Sequence, residues 1–152
     1  MIPATTTRVP ENTAECVNDW IHHRTLDNIA RAAAGGPGAI DRRLRELDEE
    51  WDVERTLEAN AAGVILTGMA LGLLGGRRYR LLSAAAAGFL LQHAIQGWCP
   101  PLPILRGLGF RTASEIASER YALKAIRGDF KDVPAGEDNE AVVENSLEAV
   151  NA

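Results

Sequence analysis

Between Ala59 and Gly76 the chain carries no Lys, Arg, Asp or Glu, and between Leu81 and Leu105 it again carries none, while Arg77, Arg78 and Arg80 crowd the gap. Two uncharged blocks around a basic knot restrict the fold more than any other feature. At the usual helical rise the first block spans about 27 Å, close to the ~30 Å of bilayer hydrocarbon. A core helix of a soluble protein keeps a polar face, and this block offers only Asn60 and Thr67 for one. The pattern predicts an all-α chain: a two-span transmembrane helical hairpin with soluble amphipathic helices before and after it.

Residues 1–11 hold threonines and prolines without periodicity and read as a flexible leader. Residues 12–58 read as a soluble helical arm of two helices. Asn12 and Glu15 have capping-box spacing, and the first helix carries Val17, Trp20, Ile21, Leu26, Ile29 and Ala33 before the GGPG stop at 35–38. The second places Ile40, Leu44, Leu47 and Trp51 on one stripe, with Arg42–Glu46 and Arg45–Glu49 as supporting pairs, and can run on into the first span. Adjacent His22 and His23 point to different sides of their helix, and the acids at 48–54 lack a Glu-x-x-His partner, so no metal site is expected.

Within 59–105, the membrane helical hairpin, Gly68, Gly72 and Gly76 recur every four residues and line one side of a helix, with Ala84 and Gly88 as the matching surface on the second span. Small residues at that spacing let backbones pack closely within the hairpin or against a second copy. The second span turns polar at Gln92, His93 and Gln96. Polar groups at membrane depth mark a functional pocket, or else lie in headgroup water beside Trp98 as an anchor. The hairpin closes in a Cys-Pro-Pro turn at Cys99, Pro100 and Pro101, where prolines remove donors and expel Cys99 from the helical region. Residues 106–130 carry an amphipathic C-terminal helix, capped by Thr112 and Glu115, with Ile116, Leu123 and Ile126 inward and Arg120, Lys124 and Arg127 outward. Residues 131–152 read as an acidic disordered tail with a short helix around Val142–Val150.

The order of a charged helix, a Gly-rich span, a basic turn and an Ala-rich span closing in Gly97, Trp98, Cys99 and Pro100 resembles the YgaP-like inner-membrane domain family over roughly residues 53–110. Pro101 to Pro103 and the long arms depart from that family's short form. The resemblance implies a two-span membrane fold with cytoplasmic termini, association into dimers and the company of sulfur-handling proteins. It carries no rhodanese site, since the chain lacks the cysteine loop with its arginine and backbone-amide cradle.

The net charge of −5 lies in residues 131–152, so the body is neutral and offers nucleic acid no basic stripe. Cys16 and Cys99 have no metal-ligand or redox-motif spacing. No apolar leader opens the sequence, which predicts an N-terminus that stays in the cytoplasm; the arginines of the flanks, against those of the turn, predict the same for both termini. The expected function is a non-enzymatic membrane module without cofactors, associated with lipid, with a second copy as homodimer or higher oligomer, and with a protein partner through its soluble helices. Two alternatives remain at this level. One is a thiol-based sulfur carrier using Cys99, with His93 as its helper. The other is a soluble α-helical oligomer that buries 59–105.

Overall fold

The computed structural model describes residues 4–131, 133 and 140–151, and every regular element among them is helical. In chain order these are α1 (Arg8–Glu11), α2 (Glu15–Ala34), α3 (Pro37–Glu49), α4 (Val53–Leu74), α5 (Arg78–Gln96), α6 (Leu102–Gly107), α7 (Ala113–Arg127) and α8 (Glu140–Asn151). The chain divides into two compact units, Met1–Ile21 with Trp51–Ser114, and His22–Glu50 with Glu115–Ala152.

In the first unit α4 and α5 form a helical hairpin. Its close approach comes from glycine: a Cβ on Gly68 would stand 2.5 Å from the Ser83 hydroxyl oxygen and 3.0 Å from the Tyr79 carbonyl, and one on Gly72 would stand 2.5 Å from Arg80 Cγ. The Ser83 hydroxyl donates to the Ile65 carbonyl at 2.9 Å across this seam. The row Gly68–Gly72 is thus spent inside the hairpin. Gly76 instead serves the turn, with φ of 123° and open space around it. Ala84 and Gly88, expected to match the row, point outward; the face of α5 turned to α4 is Ser83, Ala86, Leu90 and His93, offset by one position.

The base of the hairpin is closed by a small cluster of Val9, Val53, Leu57, Cys99 and Leu102, flanked by Leu105 and Phe110. Val9 corrects the expectation of a flexible leader over 1–11. One buried side chain, with α1 around it, is enough to hold this segment down, and a single apolar residue leaves no periodic signal. Asn12 does not cap α2 as expected but donates to the carbonyls of Arg8 and Gln96. The long helix expected to run from the arm into the first span is broken: Glu50 is extended, and Asp52 starts α4 afresh by accepting the Arg55 amide at 2.6 Å. The Val53 amide leaves the helical ladder and donates to the Arg111 carbonyl. Trp51, assigned from sequence to the α3 stripe, is exposed beneath the Arg55 guanidinium, 4.3 Å from its ring centroid.

The second unit packs Ala32 and Ile29 of α2, Ile40, Leu44 and Leu47 of α3, and Ile116 and Leu123 of α7. Around this core run charge pairs. Glu119 is fully buried and accepts from Arg43 at 2.7 and 3.3 Å, a fork-to-fork pair, and Arg43 also reaches Glu46. Burial alone would lower the Arg43 pKa, but its bonds to Glu119 and Glu46 outweigh this and raise it. Arg120 bonds Asp48, and Arg127 bonds both Asp41 and Asp129. The predicted faces of α7 are amended here: Ile126 is 52% exposed, whereas Lys124 is buried and donates to the Val150 carbonyl, satisfying the C-terminal end of α8. The helix expected at Val142–Val150 falls within α8, which replaces the expected disorder over 140–151; residues 132, 134–139 and 152 of the tail lie outside the described residues.

Candidate functional site

Of the residues singled out from sequence, Gln92, His93, Gln96, Cys99, Pro100 and Pro101 lie at or just past the end of α5. There the helix stops at Gly97, whose φ of 75° is left-handed and whose amide returns to the His93 carbonyl at 2.8 Å. Glycine is required twice over. A Cβ would meet the Arg8 backbone at 2.5 Å, so the N-terminal segment lies directly against this turn. It uses that proximity to satisfy carbonyls that a helix end leaves open: the Arg8 guanidinium donates to the Ala94 carbonyl at 2.5 Å and Asn12 to the Gln96 carbonyl at 3.0 Å.

Past Gly97 the Leu102 amide donates to the Cys99 carbonyl, forming the turn expected at Cys99, Pro100 and Pro101. The segment that follows is locked by Arg106. Its guanidinium is fully buried and donates to Thr13, Asn18 and the Phe110 carbonyl at 2.9–3.2 Å, pinning α6 to the start of α2. Arg8, Asn12, Gly97 and Arg106 are therefore the residues that hold the turn; the sequence marks Asn12 only as a helix cap and Gly97 only as part of the Gly-Trp-Cys-Pro motif, and it does not mark Arg8 or Arg106. A buried arginine leaves no mark in a sequence that separates it from a surface one.

Cys99 is 3% exposed, enclosed by Val9, Val53, Leu57 and Leu102. Burial pushes its thiol pKa up, and the bond at Leu102 only partly opposes this. His93 is 4% exposed and neither ring nitrogen has a hydrogen-bond partner, so no imidazole–thiol pair forms. The candidate catalytic pair is brought to one end of the hairpin but is not coupled. Gln92 is half-buried and Gln96 exposed, so the polar group of residues does not share a pocket. No cluster of three metal-ligating side chains occurs among the described residues. Glu54, in the first turn of α4, has one carboxylate oxygen buried without a partner; burial raises its pKa, against the nearby positive charge of Arg8 and Arg106.

Cys99 also lines one edge of an apolar groove of about 450 Å³ between α4, α5 and α6, walled by Leu57, Val64, Phe89, Leu90 and Ile104, with Asn60 its one amide side chain. Further leucines of the hairpin, Leu66, Leu73, Leu74, Leu81 and Leu91, are also exposed. The stretch Pro37–Leu74 contains one window long and apolar enough to cross a membrane, which the charge of α3 confines to α4, and only 11% of it is buried. α5, which holds Arg80, Gln92 and His93 within any stretch of that length, is not such a helix.

Compared with known proteins, the chain matches no family model, no curated sequence and no solved structure.

Proposed function

We propose that this chain is an integral membrane protein whose hairpin spans the bilayer twice, through Ala59–Gly76 and Leu81–Gln96, and that it serves as a non-enzymatic membrane module related to the YgaP-like family. The carrying observation is that the apolar window of α4 is only 11% buried. A helix that belonged to a soluble core would have its leucines covered, and an exposed apolar surface of this extent needs lipid or a partner. The polar ends agree with the thickness of such a slab. Trp51, Arg55 and Trp98 gather at the base, and Arg77, Arg78, Tyr79 and Arg80 at the turn, the side chains favoured in headgroup layers.

In this reading both termini are cytoplasmic and the membrane is a bacterial-type inner membrane. Ala84 and Gly88, turned away from α4, offer a small-residue row to a second copy, since the space beside Gly88 is open. A protein partner engages the soluble helices. The protein should remain with the membrane fraction through an alkaline carbonate wash. Release into the supernatant as a discrete oligomer, without detergent, would replace this reading by the soluble assembly that buries 59–105. For the dimer, Gly88→Leu should reduce crosslinked product in membranes.

Burial of Cys99 disfavours the sulfur-carrier alternative. With Cys16 exposed and Cys99 enclosed, a small thiol reagent at neutral pH should modify one thiol per chain quickly and Cys99 slowly. Rapid modification of Cys99, with loss of sulfur transfer in Cys99→Ser, would restore it.

A further inference from the structure

The second unit contains a notch that neither the membrane reading nor the core packing uses. Gly35, Gly36 and Pro37 turn α2 into α3 so tightly that a Cβ on Gly35 would fall 2.6 Å from Ala39 Cβ. With alanines where the two helices are nearest, the space beside them stays open. It amounts to about 330 Å³, floored by Ala32 and Ala39 and walled by Arg31, Arg42 and Arg43, with Asn28 and Glu46 at its edges.

The charge balance within this notch differs from what the sequence spacing predicts. Glu46 stands four residues from Arg42 and would ordinarily pair with it. Instead Glu46 bonds Arg43 at 3.0 Å, and Arg43 is further engaged by Glu119. Both Glu46 and Arg43 are thereby spoken for. Arg42 has no hydrogen bond or ion pair among the described residues. Arg31 donates from Nε to the Asp27 carbonyl at 3.3 Å and from a terminal nitrogen to Asn28 Oδ1 at 2.5 Å, both neutral acceptors. These bonds orient the guanidinium without cancelling its charge. Two arginines, one on each helix, thus flank a small concave space in a chain whose net charge is −5.

We propose that this notch is a binding site for a phosphate-bearing group, gripped by Arg31 from α2 and Arg42 from α3. Guanidinium groups present paired N–H donors that match the oxygens of a phosphate, and two such forks on opposite walls suit a tetrahedral anion better than a planar one. The alanine floor lets the anion enter between the helices rather than rest on the surface. The phosphate can come from a soluble phosphate compound or from the headgroup of an acidic phospholipid, which present the same oxygens.

The test uses the full chain in an uncharged sugar-headgroup detergent, following the arginine Nε–H signals by NMR. One arm adds inorganic phosphate, with sodium chloride at equal ionic strength as control. The other adds phosphatidylglycerol to the micelles, with a neutral diacylglycerol as control. Saturable shifts of Arg31 and Arg42 in the first arm, absent with chloride and about ten-fold weaker in the Arg31→Gln/Arg42→Gln double variant, establish the site with a soluble phosphate. Saturable shifts confined to the second arm, and weakened by the same substitutions, establish it with a lipid headgroup. Since both side chains lie at the surface of the notch and outside the Arg43–Glu119 pair, the variant should keep its helical circular dichroism. Shifts no larger than the controls in both arms, or shifts that the double variant leaves unchanged, overturn the proposal.

Discussion

Where α4 meets α5, the contact depends on what is missing, since Gly68 and Gly72 leave room for Ser83 and Arg80; where α3 meets α7, it depends on what is added, the Arg43–Glu119 fork and the Arg127 clasp around an aliphatic core. The hairpin carries apolar side chains outward and leaves much of them uncovered. The second unit turns Leu44, Leu47 and Leu123 inward and lets charges finish the packing. On the membrane reading proposed above, the same secondary structure serves two solvents. In water the burial of leucine drives association, whereas in a bilayer it gains little and close backbone contact must take over. All three tryptophans belong to the first unit, so their fluorescence separates its unfolding from the helical signal of the whole chain.

The largest effect is expected at Glu119. Glu119→Ala leaves Arg43 without its buried partner and should cost about 3–5 kcal/mol in the second unit, seen as an early transition in far-ultraviolet circular dichroism. Tryptophan fluorescence should move less. Equal movement of both signals would mean that the units unfold as one body and would break the comparison. At the base of the hairpin, Gly97→Ala should act in the opposite sense, on fluorescence first. The left-handed backbone accounts for about 1–2 kcal/mol and the overlap with the Arg8 backbone for about 1–3 more.

A smaller loss, about 1–3 kcal/mol, is expected for Gly68→Ala, because its new methyl group meets the Tyr79 carbonyl as well as the Ser83 hydroxyl. Gly72→Ala should be milder, since the Arg80 side chain can swing aside, and Gly63→Ala, which faces open space, should stabilise through helix propensity. A melt in detergent that ranks these three alike would remove the close-packing account of the hairpin. The smallest effect concerns pH. The bond from Arg127 holds the Asp129 carboxyl below its ordinary pKa, so its contribution is present in full above the unfolded value and is lost as pH falls through the folded one. Acidification below the usual carboxylate range should therefore weaken the second unit, and Asp129→Asn should flatten that part of its pH profile.

Much of the helical content could be read directly. The GGPG stop, the basic turn between the uncharged blocks and the Thr112 boundary lie near the end of α2, the junction of α4 with α5 and the start of α7, because periodicity and stop residues act over a few neighbours. Asp52 illustrates the limit of that reading. It sits in a charged run that favours continuing the helix, and what makes it a cap is the departure of the Val53 amide to Arg111, many residues away. Lys124 and Ile126 exchanged their expected environments for a similar reason, as the α8 carbonyl at Val150 draws the ammonium group inward. At the candidate site, the prolines made a turn at Cys99 legible, while the shelter given by Val9 came from the segment read as flexible.

By itself the sequence determined that the chain is helical, where its uncharged stretches lie and that a turn joins them, since these follow from local propensity and from the absence of charge. Only the tertiary structure decided which faces meet. It spent the glycine row inside the hairpin, buried Arg106 and Glu119 against partners distant in sequence, and divided Glu46 from Arg42. Such choices depend on the three-dimensional matching of one donor to one acceptor and of one methyl-sized space to one neighbour, and residues that far apart leave no joint pattern along a single chain.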